Sequence, residues 1–227
     1  MQDRTYLKQK YRKISVALIS NLLILGAMAA FMRPSFETND DIVFAELGSG
    51  LRGVKDAHLV FQNYGLGMIY RLLYGVTGRL PWYTIVQYMI LFVAFTVVTY
   101  GLISRLGEIS GLCLFVILAC GFGYEGYIHL QFTKTAGIAA AAAVFLLLYT
   151  LESEKKLCWE TAAGFLLALM AYMYREDQFW ASSGLMAGAG LFFLFTLRKQ
   201  KKKWLCRLGR CILTFGILLL CVAGVDR

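Results

Sequence analysis

A short acidic motif, Glu37-Thr38-Asn39-Asp40-Asp41, follows the first long apolar run of the chain. Ionised carboxylates beside hydrocarbon are costly, and membrane proteins tend to keep them for chemistry or for ion handling. A well-placed carboxylate can act as a general base that takes the proton from an attacking hydroxyl group. Asp40 and Asp41 are therefore the first candidates for catalytic residues.

Two cations, Lys134 and Arg175, stand at the ends of later apolar runs. Either could bind an anionic group, and arginine is suited to a bidentate grip on phosphate. Two other interpretations stay open. The Lys134 ammonium could simply extend to the lipid headgroups, and Arg175 could pair with Glu176, Asp177 or Glu125.

Glu125 and His129 are spaced i, i+4 and would share one face if this segment is helical. They could contact a substrate or begin a metal site, although the polarity of a loop is the better explanation of such a pair. The chain has no CxxC or Cys/His pattern with metal-ligand spacing. We therefore predict no metal site and no cofactor, while a divalent cation remains compatible with the acidic motif.

The composition indicates which class of protein must position these residues. With 59% hydrophobic and 16% charged residues and a mean hydropathy of +0.61, the chain is typical of integral membrane proteins rather than of soluble domains. We predict an all-α polytopic membrane protein with a single transmembrane domain over 1–227. About seven runs approach the roughly 20 residues that a membrane helix needs: 14–31, 82–103, 109–122, 135–151, 161–174, 181–197 and 211–225.

The basic residues predict an orientation with the N-terminus in the cytoplasm. In that orientation fifteen of the 23 Lys and Arg residues fall on the cytoplasmic side, as the positive-inside rule requires. They include Lys8, Lys10, Arg12, Lys13, Arg105, Lys155, Lys156, Arg198, Lys199 and the basic residues of 201–210, whereas Arg227 falls on the other side. The net charge of +9 thus reflects topology and affinity for anionic lipids, and we predict no nucleic-acid partner.

The loop over 33–81 lies outside in this orientation and begins and ends near the only two prolines of the chain, Pro34 and Pro81. We expect a first helix capped by Thr38 or Asn39 and ended by the glycines of 48–50. Asp40 and Asp41 would stand in its first turn, where carboxylates suit the helix dipole. A carboxylate in such a position should contribute little to the fold.

A second loop helix is predicted over 63–75. Leu66, Ile69, Leu72, Leu73 and Val76 form an i, i+3, i+4, i+7 stripe. The stripe is typical of an amphipathic helix that lies in the membrane interface, with Arg71 toward water. Simple packing against the protein would produce the same pattern.

These features together resemble the amino-terminal part of a bacterial polytopic glycosyltransferase of the GT-C superfamily. The likeness consists of a cytoplasmic N-terminus, one span, and an external loop with an acidic motif and an amphipathic juxtamembrane helix. The segment 131–137, Gln-Phe-Thr-Lys-Thr-Ala-Gly, resembles the start of the fourth span in bacterial members. The segment 174–179, Tyr-Arg-Glu-Asp-Gln-Phe, resembles their later external turn.

The resemblance implies transfer of a sugar from a polyprenyl-phosphate donor to a cell-envelope acceptor at the outer face of the bacterial cytoplasmic membrane. Asp40 or Asp41 would be the base, while Lys134, Arg175, Glu125 and His129 would bind substrate. Such enzymes usually have more spans, so we expect a partner chain or a further C-terminal part beyond Arg227.

Two other classes of protein remain open. A transporter or flippase would keep ionisable groups deep within its spans and break its helices near the midplane. A non-catalytic assembly protein would use small-residue runs, such as 137–143 and 187–190, as helix-packing seams.

Overall fold

The computed structural model describes residues 2–152, 158–196 and 201–225. Lys155, Lys156, Arg198, Lys199 and Arg227, which helped to predict the topology, lie outside the described residues. The elements in chain order are α1 (Gln2–Phe31), β1 (Ser35–Phe36), α2 (Asn39–Ser49), α3 (Tyr64–Val76), α4 (Trp82–Leu106), α5 (Glu108–Leu118), a π-helical turn (Ala119–Gly123), α6 (Tyr124–Tyr127), β2 (His129–Leu130), α7 (Phe132–Glu152), α8 (Cys158–Tyr174), α9 (Glu176–Thr196) and α10 (Lys201–Val225).

Six of the described helical segments are long and apolar enough to cross a membrane, as expected for an all-α multi-pass membrane protein. They are Tyr6–Phe31, Trp82–Leu106, Glu108–Tyr127, Phe132–Glu152, Glu176–Thr196 and Leu208–Val225, and each matches a predicted span. The remaining predicted span, 161–174, lies in α8, which has 17 described residues and is not among the six.

Helix α7 lies at the centre of the bundle and packs against α8, α4 and α9. Its inner face is built from buried small residues, among them Ala136, Ala139 and Ala143. The facing helix α8 brings Gly164 so close that an added Cβ would lie 2.8 Å from the Leu147 side chain. Small residues allow this approach, which is the usual basis of helix packing in membranes.

A pair of short parallel strands departs from the all-α expectation. Ser35 and Phe36 of β1 pair with His129 and Leu130 of β2, and the Glu37 N–H donates to the Leu130 carbonyl at 3.1 Å. The pair satisfies backbone groups that these non-helical segments leave unpaired. It holds the entrance to α2 beside the entrance to α7.

Both predicted loop helices are present. Helix α2 ends at Gly50, whose positive φ of 82° is the left-handed conformation common after a helix, and α3 begins where the Asn63 side chain accepts from the Gly65 N–H at 2.8 Å. The residues of the predicted stripe on α3 do not all face the bundle, however. Leu66 is buried together with Tyr70 and Tyr74, whereas Leu72 and Val76 are 66% and 82% exposed. The tyrosines, which are absent from the stripe, face the bundle because their hydroxyl groups find partners there.

The bundle has two ends. The loop end of the bundle comprises residues 35–41, 129–134 and 175–177. The amino-terminal end comprises residues 9–13, 103–110 and 159–160. Helix α4 runs between the two ends.

Candidate active site at the loop end

The Asp41 side chain is completely buried and joins three helices. Its Oδ2 accepts from the Thr38 hydroxyl at 2.8 Å. Its Oδ1 accepts from the Tyr83 hydroxyl of α4 at 2.8 Å and from the Phe132 N–H at the start of α7 at 3.0 Å. The Gln87 amide approaches the same oxygen at 3.4 Å. The expectation that Asp41 contributes little to the fold is therefore wrong.

Thr38 is the residue that precedes α2, as predicted, yet its hydroxyl bonds the Asp41 carboxylate rather than a backbone N–H. Burial raises the pKa of the Asp41 carboxyl above its ordinary value, and the four hydrogen bonds partly offset that rise. The surrounding donors are neutral, so the carboxylate is held by hydrogen bonds alone.

A second layer of buried polar groups fixes the Asp41 partners. The Thr135 hydroxyl donates to Gln87 Oε1 at 3.0 Å, and the Gln62 amide donates to the Tyr83 hydroxyl at 3.2 Å. Sequence reasoning missed these residues. The signal was available in Tyr83 and Gln87, which lie four residues apart and therefore on one face of a largely apolar helix.

Asp40, the other half of the acidic pair, is exposed. Successive residues of a helix point about 100° apart, so burying Asp41 in the bundle turns Asp40 outward. Of the two predicted catalytic carboxylates, Asp40 is the one that a bound molecule can reach. The structure thus distinguishes by exposure two carboxylates that the sequence could not tell apart.

Lys134 lies in the first turn of α7 and forms ion pairs with both Glu37 and Glu125. Its side chain is 23% exposed, and its ammonium is flanked by carboxylates from the β1–α2 segment and from α6. The two acidic groups offset its charge, which lessens its attraction for a further anion. Lys134 thus ties the acidic motif to the entrance of α7.

Glu125 and His129 do not lie on one continuous helix, so the condition for an i, i+4 pair is not met. Helix α6 ends at Tyr127, and His129 belongs to β2, where its Nε2 lies 3.0 Å from the Tyr124 hydroxyl. Glu125 turns to Lys134 instead. Among residues 2–152, 158–196 and 201–225, no three His, Cys, Asp or Glu side chains gather as metal ligands would.

Arg175 lies between α8 and α9 and forms the local pair that the sequence allowed. Its Nε donates to both Asp177 carboxylate oxygens, at 3.0 and 3.2 Å. The guanidinium lies 5.2 Å from the Phe61 ring centroid and 5.7 Å from that of Phe132, within the range of cation–π attraction. Its Nη1 also lies 3.4 Å from the Thr133 hydroxyl, which brings Arg175 beside the entrance to α7.

Phe61 is the one non-glycine residue of the described chain with a positive φ, 68°. Its ring is 62% exposed although it contacts the Arg175 guanidinium. A bulky residue in this conformation carries strain, and such strain concentrates at ligand-binding sites. Phe61 is a further element of the site, beside the predicted Arg175, that the sequence did not indicate.

Comparison of the chain with family models, with curated proteins and with solved structures finds no match. The likeness to GT-C enzymes therefore stays a prediction from motifs and their order. The assignment of a chemistry depends on the loop end itself. There an exposed carboxylate, Asp40, follows the start of α2 beside the buried Asp41, and a guanidinium flanked by aromatic rings, Arg175, lies beside the entrance to α7.

Proposed function

We propose that the chain is a membrane glycosyltransferase that takes a sugar from a polyprenyl-phosphate donor at the outer face of a bacterial cytoplasmic membrane. In this proposal α8 is the seventh span, the N-terminus is cytoplasmic and the loop end faces outward. The exposed apolar residues of α3, Leu72 and Val76, then lie at the outer membrane surface, where a lipid-linked donor arrives.

The proposal is supported above all by the different environments of the two carboxylates of the acidic pair. Asp41 fixes the first turn of α2 against α4 and α7 through hydrogen bonds to Tyr83 and to the Phe132 N–H. That attachment holds the neighbouring carboxylate of Asp40 at the surface of a rigid framework. Catalytic groups need such positioning, because much of the rate enhancement comes from a fixed orientation.

In the proposed reaction Asp40 takes the proton of an acceptor hydroxyl group as its oxygen attacks the anomeric carbon of the sugar. The bond from that carbon to the phosphate oxygen breaks, and the bonding electron pair leaves with the polyprenyl phosphate. One carboxylate base and one positive group at the departing phosphate are sufficient for this inverting transfer.

Arg175 is the better of the two cations for the phosphate. The Asp177 carboxylate contacts only its Nε, and a phosphate could bind the outer edge of the guanidinium or displace that carboxylate. Lys134 is already paired with Glu37 and Glu125. We therefore assign Glu125 to positioning Lys134, and His129 to the wall of the site beside Tyr124.

The proposal is tested by reconstituting the chain in liposomes with polyprenyl-phosphate-linked glucose, mannose or N-acetylglucosamine and a cell-envelope fraction as the acceptor, and measuring release of polyprenyl phosphate. We expect turnover that Asp40→Asn lowers about 10²- to 10⁴-fold, the usual contribution of a general base. Glu176→Gln, which also removes one negative charge at the loop end, serves as the matched control and should retain the rate. Equal turnover in all three proteins would exclude Asp40 as the base, and no release with any donor would favour an assembly protein or a transporter.

A further inference from the structure

A cavity of about 620 Å³ opens at the amino-terminal end, between α1, the end of α4 and the start of α5. It lies at the opposite end of α4 from Tyr83 and Asp41, so it is separate from the candidate active site. Its volume is within the range of small-molecule sites, about 300 to 1,000 Å³. Nothing in the proposed transfer reaction uses it.

The polar wall of the cavity carries positive charge. Arg12 and Lys13 of α1 line it together with Ser110 of α5. Arg12 donates to one oxygen of Glu108, at 2.8 and 2.6 Å, which offsets its charge. Lys13 is half-buried and forms no ion pair with any side chain in the described ranges, so its ammonium supplies a positive charge without a counter-ion.

The other wall is apolar and faces outward. Leu106 and Ile109 line the cavity and are 51% and 81% exposed. Large apolar side chains beside exposed cations are typical of the depth at which lipid headgroups meet acyl chains. A molecule that fits both walls has an anionic head and an apolar tail.

We propose that this cavity binds the headgroup of an anionic phospholipid, with the phosphate beside Lys13 and the first part of the acyl chains along Leu106 and Ile109. The Arg12–Glu108 pair closes one side of the cavity, and the Ser110 hydroxyl is a further donor to a phosphate oxygen. A free phosphate ester would satisfy Lys13 and Ser110, but it would leave the apolar wall uncovered. The site does not depend on the glycosyltransferase assignment.

The test uses the full chain purified in a neutral maltoside detergent, with binding of dioctanoyl phosphatidylglycerol measured by titration calorimetry. Lys13→Gln should weaken binding about tenfold, since it removes a charge-assisted contact. Lys8→Gln removes the same charge from an exposed position of the same helix and should change the affinity by less than about twofold. Ser110→Trp fills the cavity while keeping both cations and should also abolish saturable binding.

Three outcomes would overturn the proposal. If dioctanoyl phosphatidylcholine bound as tightly as dioctanoyl phosphatidylglycerol, the negative charge of the headgroup would not contribute to binding. Inorganic phosphate displacing the lipid at equal concentration would show a site for soluble phosphate. If Lys8→Gln and Lys13→Gln weakened lipid binding equally, the general positive charge of the surface would explain the affinity without a specific site. If the Lys13→Gln variant does not elute as a folded protein, the Ser110→Trp variant tests the site instead, because Ser110 is exposed and its replacement should not disturb folding. Undiminished lipid binding by the Ser110→Trp variant would also contradict the proposal.

Discussion

Two completely buried carboxylates, one at each end of the bundle, are held in different ways. Asp41 at the loop end accepts hydrogen bonds from neutral groups on two other helices, α4 and α7, and from Thr38. Glu160 at the amino-terminal end accepts the Lys10 ammonium at 2.9 Å and the Tyr100 hydroxyl at 3.0 Å. Both partners use the same oxygen, and Glu160 Oε2 has no partner among the described residues.

The two carboxylates differ in how far each depends on a single partner. Asp41 is stabilised by several modest hydrogen bonds, each contributing about 1 kcal/mol, so no one of them decides its position. Glu160 depends on Lys10, whose ammonium also lies 5.1 Å from the Trp159 ring centroid. Asp41 is thus held by a set of shared hydrogen bonds, whereas Glu160 is held mainly by one ion pair that joins α1 to α8.

The largest expected effect is on that ion pair. Lys10→Met should lower the free energy of unfolding by about 3 to 5 kcal/mol, because it leaves Glu160 as an uncompensated buried charge. Unfolding in mixed micelles of increasing dodecyl sulfate content measures the change. The double variant Lys10→Met, Glu160→Gln should recover most of the loss, and a double variant no more stable than Lys10→Met would contradict the pairing.

A somewhat smaller effect is expected at the loop end. Asp41→Ala should cost about 3 kcal/mol in the same measurement, because the Tyr83 hydroxyl, the Phe132 N–H and the Gln87 amide lose their acceptor. Asp41→Asn keeps Oδ1 for these donors, and its new N–H₂ group can donate to the Thr38 hydroxyl. It should therefore cost less than about 1 kcal/mol, and equal losses in the two variants would show that the charge itself is required.

The dependence of stability on pH provides the smallest signal. Since burial raises the Asp41 pKa above its ordinary value of 3.8, the folded protein binds this proton more tightly than the unfolded chain. The free energy of unfolding should thus decrease as the pH rises from about 3.8 through the raised pKa, and become level above it. Subtracting the curve of Asp41→Asn isolates this contribution from other carboxyl groups. A difference curve that rises over this range would contradict the assignment.

Hydropathy was sufficient to predict the membrane class and the positions of six spans, because apolar length is a local property of the chain. Loop helices α2 and α3 were also predictable, since a polar residue before each helix and Gly50 after α2 are local signals. The two-stranded pair was not predictable. Two residues per strand carry no periodicity, and the partners Ser35 and His129 are far apart in the sequence.

The roles within the site depended on tertiary contacts. Asp40 and Asp41 are identical in type and adjacent in sequence, and only the bundle distinguishes the buried carboxylate from the exposed one. The pair of Glu160 with Lys10 joins α8 to α1, and neither residue has a sequence neighbour that signals it. Arg175 was the exception, since its partner Asp177 is local and was among those proposed.

The central claim is that Asp41 holds the site and Asp40 performs the chemistry. The most direct measurement compares Asp40→Asn and Asp41→Ala in two assays on the same preparations, unfolding in mixed micelles and release of polyprenyl phosphate from the sugar donor. We expect Asp40→Asn to unfold like the unmodified chain but to lose at least about 10²-fold in rate, whereas Asp41→Ala should lose stability. A stable Asp40→Asn variant that releases polyprenyl phosphate at the full rate would contradict the claim.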